Sequence, residues 1–81
     1  MKPTEARQKL MGILGSIGDN TLRKKAMKAL SDYLRTHSIV EKKVYRARII
    51  TFYAEWLKKK GDSNRKEKIF LLKKLLLIVR K

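Results

Sequence analysis

Apolar residues recur along this chain at intervals of three and four, in four runs separated by short turns, with no strand-like alternation and no internal repeat. The first run predicts a helix over about 4–14. It opens beside Pro3, carries Leu10, Met11, Ile13 and Leu14, and breaks at Gly15 and Gly18, with Gly12 inside it. The second predicts a helix over about 21–36, with Asp19, Asn20 and Thr21 as N-cap candidates and Leu22, Ala26, Ala29, Leu30, Tyr33 and Leu34 along one face. Lys24, Lys25, Lys28 and Arg35 share the opposite arc, interrupted only by Ser31 and Asp32.

The third run predicts a helix over about 39–60. Ser38 and Glu41 form a capping box at its start. Gly61 suits the left-handed conformation beyond its end, where Lys58, Lys59 and Lys60 oppose the negative end of the helix dipole. This helix has two apolar arcs, an aliphatic one (Ile39, Val40, Val44, Ala47, Ile50, Ala54, Leu57) and one dominated by aromatics (Tyr45, Ile49, Phe52, Tyr53, Trp56). A polar stripe of Glu41, Arg48, Thr51, Glu55 and Lys59 runs between them, which predicts packing on both sides.

A fourth helix is predicted over about 65–80, with Asn64 and Glu67 as its capping pair. Only a strip through Lys66, Lys73 and Arg80, with Lys74 and Lys81 beside it, is polar. The remaining surface needs cover. Either this is the central core helix, or Phe70, Leu71, Leu72, Leu77 and Ile78 are left to meet a second copy. The fold class expected is therefore all-α, a single helical domain over 1–81 built as a small bundle of about four helices, with dimerisation through the hydrophobic C-terminal helix as an open alternative.

A chain of 81 residues has room for one modest core. The absence of cysteine removes disulfides and thiol chemistry. The N-terminal segment lacks the form of a cleaved signal and reads as mature protein. The longest apolar run is split by Lys73 and Lys74 and falls far short of the roughly 20 residues needed to span a bilayer.

Charge changes the picture most. Twenty-two Lys and Arg against seven Asp and Glu give a net charge of +15, beyond the magnitude of roughly 2–8 usual for a small soluble domain. Self-repulsion on this scale favours a polyanionic partner, nucleic acid first, with an anionic membrane surface or an acidic protein behind it. The candidate phosphate contacts are Arg23, Lys24, Lys25, Lys28 and Arg35 on the second helix, Lys42, Lys43 and Arg46 opening the third, and Lys58, Lys59, Lys60, Arg65, Lys66 and Lys68 around the last turn. Lysine outnumbers arginine, which suits backbone contact better than base reading. A solvated basic surface is the plainer reading of the same residues.

Tyr45, Phe52 and Trp56, with Phe70 and Leu72, are the candidate interface residues. The aromatic arc suits packing better than base stacking, because stacking platforms usually lie on sheets. Catalysis finds little support. His37, the only histidine, falls in the turn between the second and third predicted helices. It reads as a turn or capping residue, with phosphate contact as its alternative role. Glu41 and Glu67 sit at capping positions and Glu55 is placed to pair with Lys59. The glycines of GILGSIG lack the phosphate-loop pattern and follow no strand. No catalytic residue, metal site, cofactor or small-molecule substrate is expected.

The segment GSIGDN followed by TLRKKAMKAL has the outline of a turn entering a recognition helix, but the turn is long for a helix-turn-helix. TLRKKAMKALSDYL and VYRARIITFYAEWLKKKG are similar to the helical core-binding domain of tyrosine recombinases, a likeness without a diagnostic motif that transfers no residue role. The function expected is non-enzymatic nucleic-acid binding through the phosphate backbone, with double-stranded DNA ahead of RNA. The alternatives are an RNA-binding ribosomal accessory protein, a membrane-active cationic helical protein and a protein-interaction adaptor. The expected location is intracellular, cytoplasmic or nucleoid-associated.

Overall fold

The computed structural model describes residues 1–79 and forms four helices, α1 (Pro3–Gly15), α2 (Asn20–Arg35), α3 (Ile39–Lys59) and α4 (Arg65–Ile78). Arg80 and Lys81, placed by the sequence on the polar strip of the last helix, lie outside the described residues.

Each helix boundary has a local chemical cause. Pro3 opens α1, where its missing N–H is no loss, and Gly12 is accommodated within the helix. Asp19 caps α2 by accepting from the Leu22 N–H at 3.0 Å. Arg23 fastens the α1–α2 turn, donating to the Ile17 carbonyl at 3.1 Å and to the Asn20 side chain.

Ser38 accepts from the Glu41 N–H at 3.2 Å, the expected first half of a capping box. The second half differs. The Glu41 carboxylate accepts from the Thr36 hydroxyl at 2.8 Å, and the Thr36 oxygen accepts from the Ser38 N–H at 3.2 Å, so the reciprocal bond is relayed through Thr36.

α3 ends in a Schellman arrangement. The Asp62 N–H donates to the Leu57 carbonyl at 3.0 Å and the Gly61 N–H to the Lys58 carbonyl at 3.1 Å, with Gly61 at φ +69°. The predicted Asn64–Glu67 pair does not form. Asn64 makes no side-chain cap, and its N–H donates to Asp62 Oδ1 at 2.7 Å, so the carboxylate two residues upstream organises the turn.

The helices close into a ring in which α1 packs on α2 and α4, and α3 packs on α2 and α4. The core is Ala6, Leu10, Leu14 and Ile17 from α1 and its turn, Ala26, Ala29, Leu30 and Tyr33 from α2, Ile49, Tyr53 and Leu57 from α3, and Leu72, Leu75, Leu76 and Val79 from α4 and its end. A ring shares its core among all four members, so α4 is not the central helix and keeps an outward face with Phe70, Leu71 and Leu77 exposed. Leu72, expected at an interface, is fully buried because it lies on the inward stripe with Leu75 and Leu76.

α3 also packs differently from expectation. Its aromatic arc faces inward, with Ile49 and Tyr53 buried and Tyr45, Phe52 and Trp56 packed against the core. The aliphatic arc divides: Leu57 is buried and Ile50 half-buried, whereas Ile39 and Val40 are 74% and 72% exposed and Val44 is also exposed. A helix in a ring of four cannot bury two broad faces along its whole length, and at its first turns only one is covered.

Tyr33 ties α2 to the end of α4. Its buried hydroxyl donates to the Leu76 carbonyl at 2.7 Å, one of the carbonyls that the last turn of a helix leaves without an intrahelical donor. Tyr33→Phe keeps the ring and removes this bond. Urea denaturation is expected to show a loss of about 1–3 kcal/mol, the range for a buried acceptor deprived of its donor, and an unchanged midpoint would show that the carbonyl is satisfied otherwise.

Candidate nucleic-acid interface

The candidate cations divide according to what already holds them. At the α3–α4 turn, Lys60 and Lys68 both pair with Asp62, the former at 3.3 Å. Lys59 reaches across to Asp19 at 2.5 Å rather than pairing with Glu55. The start of α2 and the end of α3 are neighbours, so the carboxylate that caps α2 is within reach of Lys59. Arg35 pairs with Asp32 at 2.9 Å. Arg23 is engaged in its turn, and Lys42 donates to the Tyr33 carbonyl at 3.0 Å with its ammonium 4.7 Å from the Tyr33 ring centre.

Six of the predicted contacts are thus committed within the fold. Lys24, Lys25, Lys28, Lys43, Arg46, Lys58, Arg65 and Lys66 have no such partner among the described residues.

The acidic end of this network has a pH signature. Hydrogen bonding from Lys68, then from the Asn64 N–H, lowers the Asp62 carboxyl from 3.8 to about 2. The hydrogen bond from Lys59 lowers Asp19 in the same direction, and Asp62 in turn raises the Lys68 ammonium. A carboxylate whose folded pKa is depressed adds stability above its unfolded value, and that contribution disappears as pH falls through the folded one. The urea midpoint is therefore expected to stay level down to about pH 4 and to fall between there and about pH 2, the window set by the Asp62 shift. Asp62→Asn should lower the midpoint at neutral pH and flatten that decline. A decline equally steep in the variant would place the acid sensitivity elsewhere.

Three concave surfaces carry four of these eight cations, Lys25, Lys28, Lys43 and Arg46. A groove between α2 and α3 has Lys25 and Lys28 on one bank and Arg48 on the other, with Tyr45, Phe52 and Ala29 between them. Arg48 lies 5.8 Å from the Tyr45 ring centre, a stacked placement that leaves its donors free for an anion. The sequence put Arg48 in the polar stripe of α3 and not among the phosphate contacts. The signal that finds it is its spacing of three and four from Tyr45 and Phe52, which sets it on the edge of α3 facing α2. Asp32 also borders this groove, with Arg35 on its carboxylate.

On the other edge of α3, a groove shared with α4 is lined by Lys43, Arg46, Ala47, Ile50, Lys73 and Leu77. At the α2–α3 corner, a cavity of about 310 Å³ is lined by Tyr33, His37, Ile39, Lys42, Lys43 and Arg46. The corner thus joins the first turns of α3 to the α3/α4 groove through Lys43 and Arg46.

Among the candidate interface aromatics, Tyr45 and Phe52 reach the α2/α3 groove while packing on the core, and Trp56 packs toward the α1–α2 turn. Phe70 stands on the outer face of α4 at 60% exposure with the Lys74 ammonium 4.6 Å from its ring centre.

Among the described residues no group of His, Cys, Asp and Glu is arranged to hold a metal ion, and no helix is long and apolar enough to cross a membrane. Comparison with family models, with curated proteins and with solved structures returns no match, so the chemistry of these surfaces alone carries the functional reading.

Proposed function

We propose that this protein is a small non-enzymatic binder of nucleic acid that contacts the phosphate backbone, with duplex DNA ahead of structured RNA. The observation that carries the reading is the division of its cations. Asp62 and Asp19 hold Lys60, Lys68 and Lys59 around the α3–α4 turn, while Lys25, Lys28 and Arg48 line the α2/α3 groove without salt-bridge partners among the described residues, on a chain of net charge +15. Cations held on two rigid helices at a groove can replace the counterions of a phosphate row together, and such contacts position a protein without reading sequence.

Fluorescence anisotropy with duplex DNA, single-stranded DNA and structured RNA across a salt series tests the reading. Steep salt dependence with little preference between duplex sequences is expected. Absence of binding at low salt, or tighter binding to anionic vesicles than to any nucleic acid, would overturn it.

A second reading, a protein-interaction adaptor, is favoured by the α3/α4 groove, whose floor is Ala47, Ile50 and Leu77 and whose rim is Lys43, Arg46 and Lys73. Cationic rims repel one another across a pair of copies, so an acidic amphipathic helix fits this surface better than a second copy does. Calorimetry with such a peptide and a scrambled control tests it, the ordered peptide alone being expected to bind.

A further inference from the structure

The corner cavity has a composition that neither groove shares. Its cationic lining is Lys42, Lys43 and Arg46, its remaining walls are Tyr33, His37 and Ile39, and among the described residues no carboxylate borders it. The nearest acid in sequence, Glu41, is turned away. Its carboxylate is bound to the Thr36 hydroxyl and lines a separate hollow with Asp32 and Arg35. Lys42 is fixed by its bond to the Tyr33 carbonyl and its seat over the Tyr33 ring, and Arg46 is half-buried. The first turn of the 21-residue α3 begins at Ile39, which places the positive end of its dipole at the cavity wall.

We propose that this cavity is a site for a phosphate monoester, the group that ends a nucleic-acid strand or a nucleotide. As a site on nucleic acid the inference rests on the reading above. Two properties of the cavity favour a monoester over an internal phosphodiester. The first is charge: a monoester carries about 1.5–2 negative charges and three acceptor oxygens, against one charge on a diester, and the three cations Lys42, Lys43 and Arg46 match the larger load. The second is shape. The cavity is more enclosed than the two grooves, and at about 310 Å³ it is large enough for a chain end with its sugar against Ile39. A diester continues in both directions and fits an open groove, such as the one between α2 and α3. Arg46 supplies the planar fork that meets two phosphate oxygens at once, with Lys43 as a second point of charge.

The test compares one duplex carrying 5′-phosphates with the same duplex carrying 5′-hydroxyls, together with a nucleoside 5′-monophosphate followed by amide NMR shifts. The phosphorylated duplex is expected to bind about tenfold more tightly, the margin of one charge-assisted contact. The mononucleotide should shift the amides of His37, Lys43 and Arg46. The Lys43→Gln, Arg46→Gln double variant, with folding checked by its thermal melt, should bind the phosphorylated and the hydroxyl-ended duplex equally, at an affinity lowered by the two lost charges. Equal binding of the two duplexes by the unaltered protein, or a preference that survives in the variant, overturns the inference while leaving backbone binding intact. Mononucleotide shifts at the corner with no duplex binding would overturn the nucleic-acid reading and keep the site, as one for free nucleotides. Neither response would end both.

Discussion

Changing Lys25, Lys28 and Arg48 together to Ala is expected to weaken duplex DNA binding roughly a hundredfold at physiological salt and to flatten the plot of log Kobs against log salt by about 2.7, since each phosphate contact contributes about 0.9 to the slope. The informative control removes the same charge elsewhere. Lys59, Lys60 and Lys68 are held by Asp19 and Asp62, so their replacement by Ala should alter the slope by less than about one unit. Both variants have equal net charge and the same long-range attraction, so the difference between them measures placement. Equal losses would show that binding follows total charge and that the α2/α3 groove has no special standing.

Gly18→Ala is expected to destabilise the fold as strongly as any single change considered. A Cβ at Gly18 would lie 2.7 Å from Cη2 and 3.1 Å from Cζ2 of Trp56, inside ordinary contact distance. The indole is rigid and packs against the core, so it cannot swing clear without opening the seam it fills. Overpacking of this kind costs about 1–3 kcal/mol, and in a domain of this size each kcal/mol lowers Tm by about 4–8 °C. Trp56 is the only tryptophan, so its fluorescence follows the transition directly. Shortening the partner as well, in Gly18→Ala with Trp56→Leu, should lose less than the sum of the single changes, because the clash is removed. Strict additivity would mean that the turn moves away and the two residues do not press on each other.

Helix number and boundaries were legible because they depend on neighbours in sequence. Asp19, Ser38 and Gly61 act within a few residues of themselves, and each does what its type predicts. The Asn64 cap failed for a related reason: two residues able to organise the same turn compete there, and Asp62, held also by Lys60 and Lys68, prevails. Burial was legible only where one face is clearly apolar. On α2 the stripe through Ala26, Leu30 and Tyr33 is buried as read, whereas on α3 and α4 two faces qualified and neighbouring helices decided between them, burying Leu72 and exposing Val40.

The candidate site was legible as a charge and not as a shape. Pairings that join distant parts of the chain, such as Lys59 with Asp19, determine which lysines remain unpaired, and no local pattern reveals them. Arg48 was passed over because its value depends on Lys25 and Lys28 facing it across the groove.

Three of the four principal seams of the ring join helices that follow one another in sequence, and only the seam between α1 and α4 brings together helices far apart in sequence. Closing the first three requires short loops and little entropy, which is the condition for folding in the microsecond to millisecond range. The α1–α4 seam must wait for the others to bring its two sides together. Losing it also leaves every other helix pair in place, so in the native protein it is where partial opening begins, with α1 exchanging its amide protons ahead of the α2–α3 pair.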